Sequence, residues 1–167
     1  MIGKMGVVHL AAMALGGSSY VTILVVFIGM LTSVGVIISQ NIGSNNLFYV
    51  GYHLQNSFFL SFILSIPGFI FVWLIPDILF FVGENPQVVE LCESYLHSAV
   101  WGLPGFMLFI VLKEYTSAIK SPHMTMWISI SAIPLNAIFN YIFIYGFFLD
   151  SPYGMSGVGY SSIIIEW

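Results

Sequence analysis

Long runs of apolar residues alternate with short polar clusters along this chain. A helix that crosses a bilayer needs about 20 apolar residues, and most of these runs reach that length. The pattern predicts spans at about residues 11–39, 57–76, 94–113 and 124–146, with an incomplete span at 155–167. The polar clusters between them hold Gly, Pro, Asn and Ser, which favour turns. We therefore predict an all-α, polytopic bundle of membrane helices with about four complete spans.

The scarcity of charged residues supports this prediction. The 167 residues are 59% hydrophobic and 6% charged, whereas about a quarter of the residues in an ordinary soluble domain are charged. No Asp, Glu, Lys or Arg lies between residues 5 and 76. A soluble domain is therefore excluded, and the net charge of −4 excludes binding of nucleic acid by charge. We predict a single, partial transmembrane domain over residues 1–167.

The three lysines predict how the chain is oriented in the membrane. Loops that carry Lys or Arg face the cytoplasm more often than the outside. Lys113 and Lys120 flank one loop, while Lys4 stands alone on the opposite side. The loop between the two lysines is therefore expected to be cytoplasmic, and residue 1 and Asp150 are expected to be external.

No enzyme site can be assembled from these residues. The four histidines are scattered without HExxH or HxxxH spacing, and one cysteine, Cys92, leaves no zinc pattern. There is no Walker loop for ATP, and the glycines at 154–159 open an apolar helix, which favours close helix packing over dinucleotide binding. We predict no catalytic residue, no cofactor and no enzyme activity. His97 is retained only as a minor candidate for a proton relay.

Polar residues inside the predicted fourth span are the best candidates for function. Asn136 and Asn140 lie four residues apart and share one helix face with Ser129. An amide that faced lipid would lack hydrogen-bond partners, so this face is expected to look into a bundle or a wet cavity. The sequence leaves two interpretations open: the amides bind a cation, or they join neighbouring helices.

Three prolines inside predicted spans, Pro67, Pro104 and Pro134, are predicted to kink their helices. Pro134 frees the carbonyl of Ile130, which together with nearby amide oxygens could surround a small cation such as sodium. Transporters use broken helices in this way. The alternative is that proline is common in membrane helices generally, and for Pro67 alone this alternative is favoured.

Several short motifs together resemble one known family. They share their order and spacing with the multidrug and toxic compound extrusion (MATE) family, in the part that runs from the end of its first helix to the start of its sixth. The motifs lie at residues 3–6, 10–16, 38–44, 102–104, 112–113, 134–146 and 154–157. The segment PLNAIFNYIFIYG at 134–146 is the most similar, and it resembles the fifth helix of the family.

The resemblance implies the first lobe of a two-lobe, twelve-helix antiporter in the bacterial inner (plasma) membrane, with most of the first helix and the second lobe missing. Such a carrier would export small cationic or amphipathic compounds by alternating access, in exchange for sodium ions or protons. Asn136 and Asn140 match amides of the family's polar site, and Ser162 falls where a threonine is frequent. Asn140 is expected to meet Ser162 and to matter more than Asn136. Glu166 stands where a basic residue is usual, which weakens the expected cytoplasmic anchoring.

Two other functions stay open at this point. A flippase for lipid-linked sugars belongs to the wider superfamily, although its cavity would call for several basic residues. A non-transporting product of a truncated gene, or a membrane subunit that acts only by docking, would show the same apolar pattern. The sequence does not distinguish sodium from proton coupling, and it does not identify the exported compound.

Overall fold

The computed structural model describes residues 6–145 and 154–167, and those residues are almost entirely α-helical, with no strand among them. The seven helices are α1 (Val7–Leu31), α2 (Ser33–Gly43), α3 (Leu47–Val82), α4 (Pro86–Ala99), α5 (Leu103–Ala118), α6 (His123–Tyr145) and α7 (Gly154–Glu166).

Four helical segments are long and apolar enough to cross a membrane. They are Val7–Gly43, Leu47–Val82, Pro86–Ala118 and His123–Ile144. The prediction of an all-α polytopic bundle with about four complete spans is therefore confirmed. The first three segments extend past the predicted spans at both ends, because helical hydrogen bonding continues into the polar flanks where the apolar pattern stops. Gly146, the last residue of the predicted fourth span, and Asp150 lie outside the described residues.

A break between α1 and α2 was not predicted, because the first span contains no proline. The break falls at Thr32, between Leu31 and Ser33. The Thr32 hydroxyl donates to the Gly29 carbonyl at 2.8 Å, and the Ser33 hydroxyl donates to the Met30 carbonyl at 2.7 Å. Such hydroxyls compete with the helical amides for backbone carbonyls and bend membrane helices. Two adjacent hydroxyl residues therefore account for the break.

The third span is also broken, near its middle. Helix α4 ends at Ala99, a 3₁₀ turn covers Val100–Gly102, and α5 begins at Leu103 with Pro104 in its first turn. Proline fits the first turn of a helix because the amide that it lacks has no helical acceptor there. Pro67 and Pro134 lie inside α3 and α6, which are helical on both sides of them. A kink at Pro67 or Pro134 stays a prediction.

Small residues allow the helices to pack closely. In a bilayer, helices associate through packing and hydrogen bonds. Lipid tails are as apolar as the helix surfaces, so the hydrophobic effect does not favour helix association there. Helix α3 buries a stripe of small side chains, and each serine in it donates back to its own helix. A Cβ at Gly68 would lie 2.8 Å from Leu103 Cδ2 and 3.2 Å from Phe27 Cε2. The buried stripe consists of Ser57, Ser61, Ser65 and Gly68.

Two glycines allow α7 to pack closely between α4 and α6. A Cβ at Gly157 would lie 2.7 Å from the Phe143 carbonyl oxygen of α6, and one at Gly159 would overlap the Ser98 side chain of α4. Gly157 and Gly159 therefore act in helix packing, as the sequence predicted for the glycines at 154–159. Their close approach fixes the position of α7, which carries Ser161, Ser162 and Glu166.

The helix order places the α2–α3 and α5–α6 turns at one membrane surface and the α3–α4 turn at the other. We expect Gln87→Cys, at the start of α4, to react with a membrane-impermeant maleimide added to intact cells, while Ser44→Cys does not. Both positions are exposed, and native Cys92 is fully buried and so contributes little background. Labelling of Ser44→Cys alone would reverse the orientation predicted from Lys113 and Lys120.

Candidate functional site

The polar side chains of α6 and α7 form a short chain of hydrogen bonds. Asn140 Nδ2 donates to Asn136 Oδ1 at 2.7 Å, one helical turn away on α6. Ser161 Oγ of α7 donates to Asn140 Oδ1, also at 2.7 Å. The Asn140 amide therefore joins the two helices, and the predicted proximity of the two asparagines on one helix face is present in the fold.

Ser162, the predicted α7 residue, takes a different place from the one expected. Its hydroxyl donates to the Val158 carbonyl of its own helix at 3.0 Å. The hydroxyl that contacts Asn140 belongs to Ser161, which is fully buried. The sequence missed Ser161 because a serine one position along a helix points about 100° away, and only the packing of α7 shows which serine faces α6.

Asn136 and Ser162 meet at a cavity of about 320 Å³ between α5, α6 and α7. Ser129 lies on the same wall as Asn136, as the seven-residue spacing predicted. Apolar side chains form most of the remaining wall, including two phenylalanines of α5. Asn136 is the amide that lines the cavity. Asn140 is not among the lining residues and donates a hydrogen bond to Asn136. The cavity is lined by Phe106, Phe109, Ile128, Ser129, Ala132, Asn136, Ser162, Ile165 and Glu166.

Glu166 is the acidic residue among those that line this cavity. It lies one helical turn beyond Ser162, on the same face of α7. The Tyr20 hydroxyl of α1 donates to it, at 3.5 Å from Oε1 and 3.4 Å from Oε2. Sequence reasoning related Glu166 to cytoplasmic anchoring and did not include it in the site. The spacing of four residues from Ser162 was the signal that could have found it.

His97 lies apart from the cavity, on an aromatic surface of α3 and α4. Its ring stacks on Trp73 with centroids 3.7 Å apart, and Nδ1 lies 3.7 Å from the Glu93 carboxylate. Trp73 stacks in turn on Phe69. Helix packing accounts for these contacts, and the minor proton-relay hypothesis for His97 gains no support from them.

Metal-binding clusters are missing from the described ranges: no group of three or more His, Cys, Asp or Glu side chains converges there. The cavity offers amide, hydroxyl and carboxyl oxygens, which suit a monovalent cation or a proton better than a transition metal. An apolar bundle with four helices that are long enough to cross a bilayer defines a multi-pass membrane protein.

Comparison with known sequences identifies the family. The MatE family model matches residues 1–142, which is most of the chain, and the chain therefore belongs to the MatE family. The probable multidrug resistance protein NorM of Pseudomonas aeruginosa is 30% identical over 165 residues, which cover 99% of this chain and 34% of that protein. The protein with the same description from Listeria monocytogenes is 30% identical over 162 residues, covering 95% of this chain and 35% of its own length.

Family membership bears on several of the predictions made from sequence. The chain spans about a third of the length of these curated relatives. The family consists of transporters, so the prediction that the chain is not an enzyme is confirmed, and no cofactor is indicated. The chain is a multi-pass protein of the inner membrane, as predicted. Four apolar spans make the lipid bilayer the surroundings of this chain.

Proposed function

We propose that this chain forms part of a multidrug efflux antiporter that exports cationic or amphipathic compounds in exchange for sodium ions or protons. The observation that carries the proposal is the cavity between α5, α6 and α7, where Asn136 and Ser162 stand among apolar side chains within the membrane. Buried polar groups are costly in a bilayer and occur mainly along transport pathways. Both curated relatives carry the description "probable multidrug resistance protein".

The hydrogen-bond chain of α6 and α7 suits a cation site. The Asn140 amide donates a hydrogen bond to Asn136 Oδ1 and accepts one from the Ser161 hydroxyl, so both amides are held in fixed rotamers. A cation in the cavity would meet amide and hydroxyl oxygens without the cost of ordering them first. Binding would favour one packing of α6 and α7 over another, and such a shift is what couples an ion to alternating access.

A chimera tests this proposal. Residues 1–167 would replace the matched segment of the Pseudomonas aeruginosa relative, and the product would be expressed in an efflux-deficient host. We expect everted membrane vesicles to transport ethidium and to stop when the sodium and proton gradients are collapsed together. Collapsing each gradient singly then identifies the coupling ion.

The unmodified relative, expressed at the same level, is the positive control, and the host without a carrier is the negative control. Monodisperse elution in detergent shows that the chimera is folded. A folded chimera that moves none of several cationic dyes would contradict the proposed function. Transport that continues after both gradients are collapsed would contradict the antiport part of it.

A further inference from the structure

A second, polar cleft of about 350 Å³ lies between α2 and α5. The residues that α2 contributes are spaced three or four apart and so share one helix face, and those of α5 do the same. This cleft shares no lining residue with the cavity between α5, α6 and α7, and the two are separate sites. The described residues that line it are Thr32, Gly35, Val36, Ser39, Gln40, Glu114, Ser117 and Ala118.

The cleft lies near one surface of the membrane. Gln40 precedes the end of α2 at Gly43 by three residues, and Glu114 precedes the end of α5 at Ala118 by four. At about 1.5 Å per residue, both lie about 6 Å or less from the ends of their helices. Those ends lead into the turns that the lysines predict to be cytoplasmic. A ligand can therefore reach the cleft from water or from the lipid headgroups.

A glycine of α2 makes room for the carboxyl group of Glu114. A Cβ at Gly35 would lie 2.7 Å from Glu114 Oε2. Lys113 is the next residue along α5, but neighbouring residues on a helix do not face each other. Within residues 6–145 and 154–167, Glu114 has no basic partner and no hydrogen-bond donor. Its carboxyl oxygens are therefore available to a ligand in the cleft.

Two hydroxyl groups of the cleft can act only as acceptors toward a ligand. Thr32 donates its hydrogen to the Gly29 carbonyl at 2.8 Å, and Ser39 donates its hydrogen to the Gly35 carbonyl at 2.7 Å. A hydroxyl has a single hydrogen but two lone pairs, so each oxygen keeps acceptor capacity. Together with the Glu114 carboxylate, they make the polar lining rich in acceptors and poor in donors.

This lining selects one class of ligand. A carboxylate disfavours anions, and a metal ion would call for several acidic, His or Cys ligands, which do not converge in the described ranges. A quaternary ammonium is bound best by aromatic rings, and none of the described lining residues is aromatic. Primary ammonium and amidinium groups carry several N–H donors, which match a carboxylate and hydroxyl acceptors.

We propose that the cleft between α2 and α5 binds an organic cation through its N–H groups, with Glu114 as the main contact. A free amine or amidine from the water and the ethanolamine headgroup of a phospholipid share this chemistry. The site goes beyond the proposed transport, because it can bind its ligand whether or not the chain takes part in export.

Binding is measured on the chain itself in phosphatidylcholine nanodiscs, whose headgroups carry no N–H. The probe is para-fluorobenzylammonium, and its N-trimethyl analogue is the matched probe without N–H donors. Fluorine NMR line broadening gives the affinity of each, with empty nanodiscs subtracted. We expect the ammonium probe to bind about tenfold or more tightly than its analogue, and Glu114→Gln to weaken its binding by a similar factor, the loss of one charge-assisted hydrogen bond.

Two further variants control for charge and for folding. Glu90→Gln removes the same charge from an exposed position of α4, toward the opposite membrane surface, and should bind the ammonium probe like the unmodified chain. Glu114→Asp keeps the charge but draws it back from Gly35, so its affinity should fall between those of the unmodified chain and Glu114→Gln. Each variant is first required to elute as a single species with the unfolding midpoint of the unmodified chain. If Glu114→Gln fails this requirement, Glu114→Asp and the pair of probes decide.

Nanodiscs that contain phosphatidylethanolamine distinguish the two sources of the ligand. Weaker probe binding there, seen in the unmodified chain and absent in Glu114→Gln, would identify the lipid headgroup as the occupant. Equal binding in both lipids would identify a free compound. The proposal is overturned if the unmodified chain binds the ammonium probe no better than empty nanodiscs. It is also overturned if the N-trimethyl analogue binds as tightly, or if Glu114→Gln binds the probe as tightly as Glu90→Gln.

Discussion

Gly159→Leu is expected to detach α7 from α4 and to destabilise the chain more than any other single change considered. A Cβ at position 159 would overlap the Ser98 side chain and lie 2.8 Å from the Ala99 amide nitrogen. Ser98 can rotate, but the α4 backbone cannot move without disturbing its own core. Overpacking of this kind costs about 1–3 kcal/mol, and backbone contact places the change at the upper end.

Gly29→Leu is the matched control for this prediction. Gly29 lies in α1, and a Cβ there would have no neighbour within 4 Å. Both changes raise helix propensity and hydrophobicity equally, so membrane insertion is expected to be the same. Thermal unfolding in detergent, followed by tryptophan fluorescence, should show a clear drop in midpoint for Gly159→Leu alone. Equal midpoints for the two variants would show that α7 does not pack on α4 as described.

The second large effect is expected at the amides of α6. In the chimeric carrier, Asn136→Leu should lower the apparent affinity for the coupling cation about tenfold, because it removes an amide oxygen that faces the cavity. Asn140→Leu should have a smaller effect, since Asn140 orients Asn136 and faces Ser161. This order reverses the one expected from sequence, which could not show that Asn136 faces the cavity.

The control for the amides is Ser131→Leu on the same helix. Ser131 is exposed on the outer face of α6, and its hydroxyl donates only to its own helix, to the Ile128 carbonyl at 2.9 Å. All three leucines suit a spanning helix, so a loss of transport cannot be attributed to poor insertion. Cation-dependent efflux in vesicles is the measurement. If Asn136→Leu retains the cation dependence of Ser131→Leu, the amides serve only to join α6 to α7.

The side-chain placements that the sequence predicted and those that it missed differ in the range of their contacts. The proximity of Asn136 and Asn140 follows from helix geometry, because residues four apart on one helix are neighbours wherever the helix lies. Ser161 and Glu166 were missed because their partners, Asn140 and Tyr20, stand on other helices. Nothing local to α7 shows which of two adjacent serines faces α6, or that Gly102 leaves room for a carboxyl group.

The sequence by itself determined the membrane class, the number of complete spans and the polar face of α6. Each of these depends on the cost of burying polar groups in lipid or on the period of a single helix. Only the tertiary structure decided where the helices break and which hydroxyl donates to Asn140. It also decided that Glu166 and Asn136 line the same cavity. Those features depend on contacts between helices far apart in the chain, where glycines such as Gly102 and Gly159 set the distance of approach.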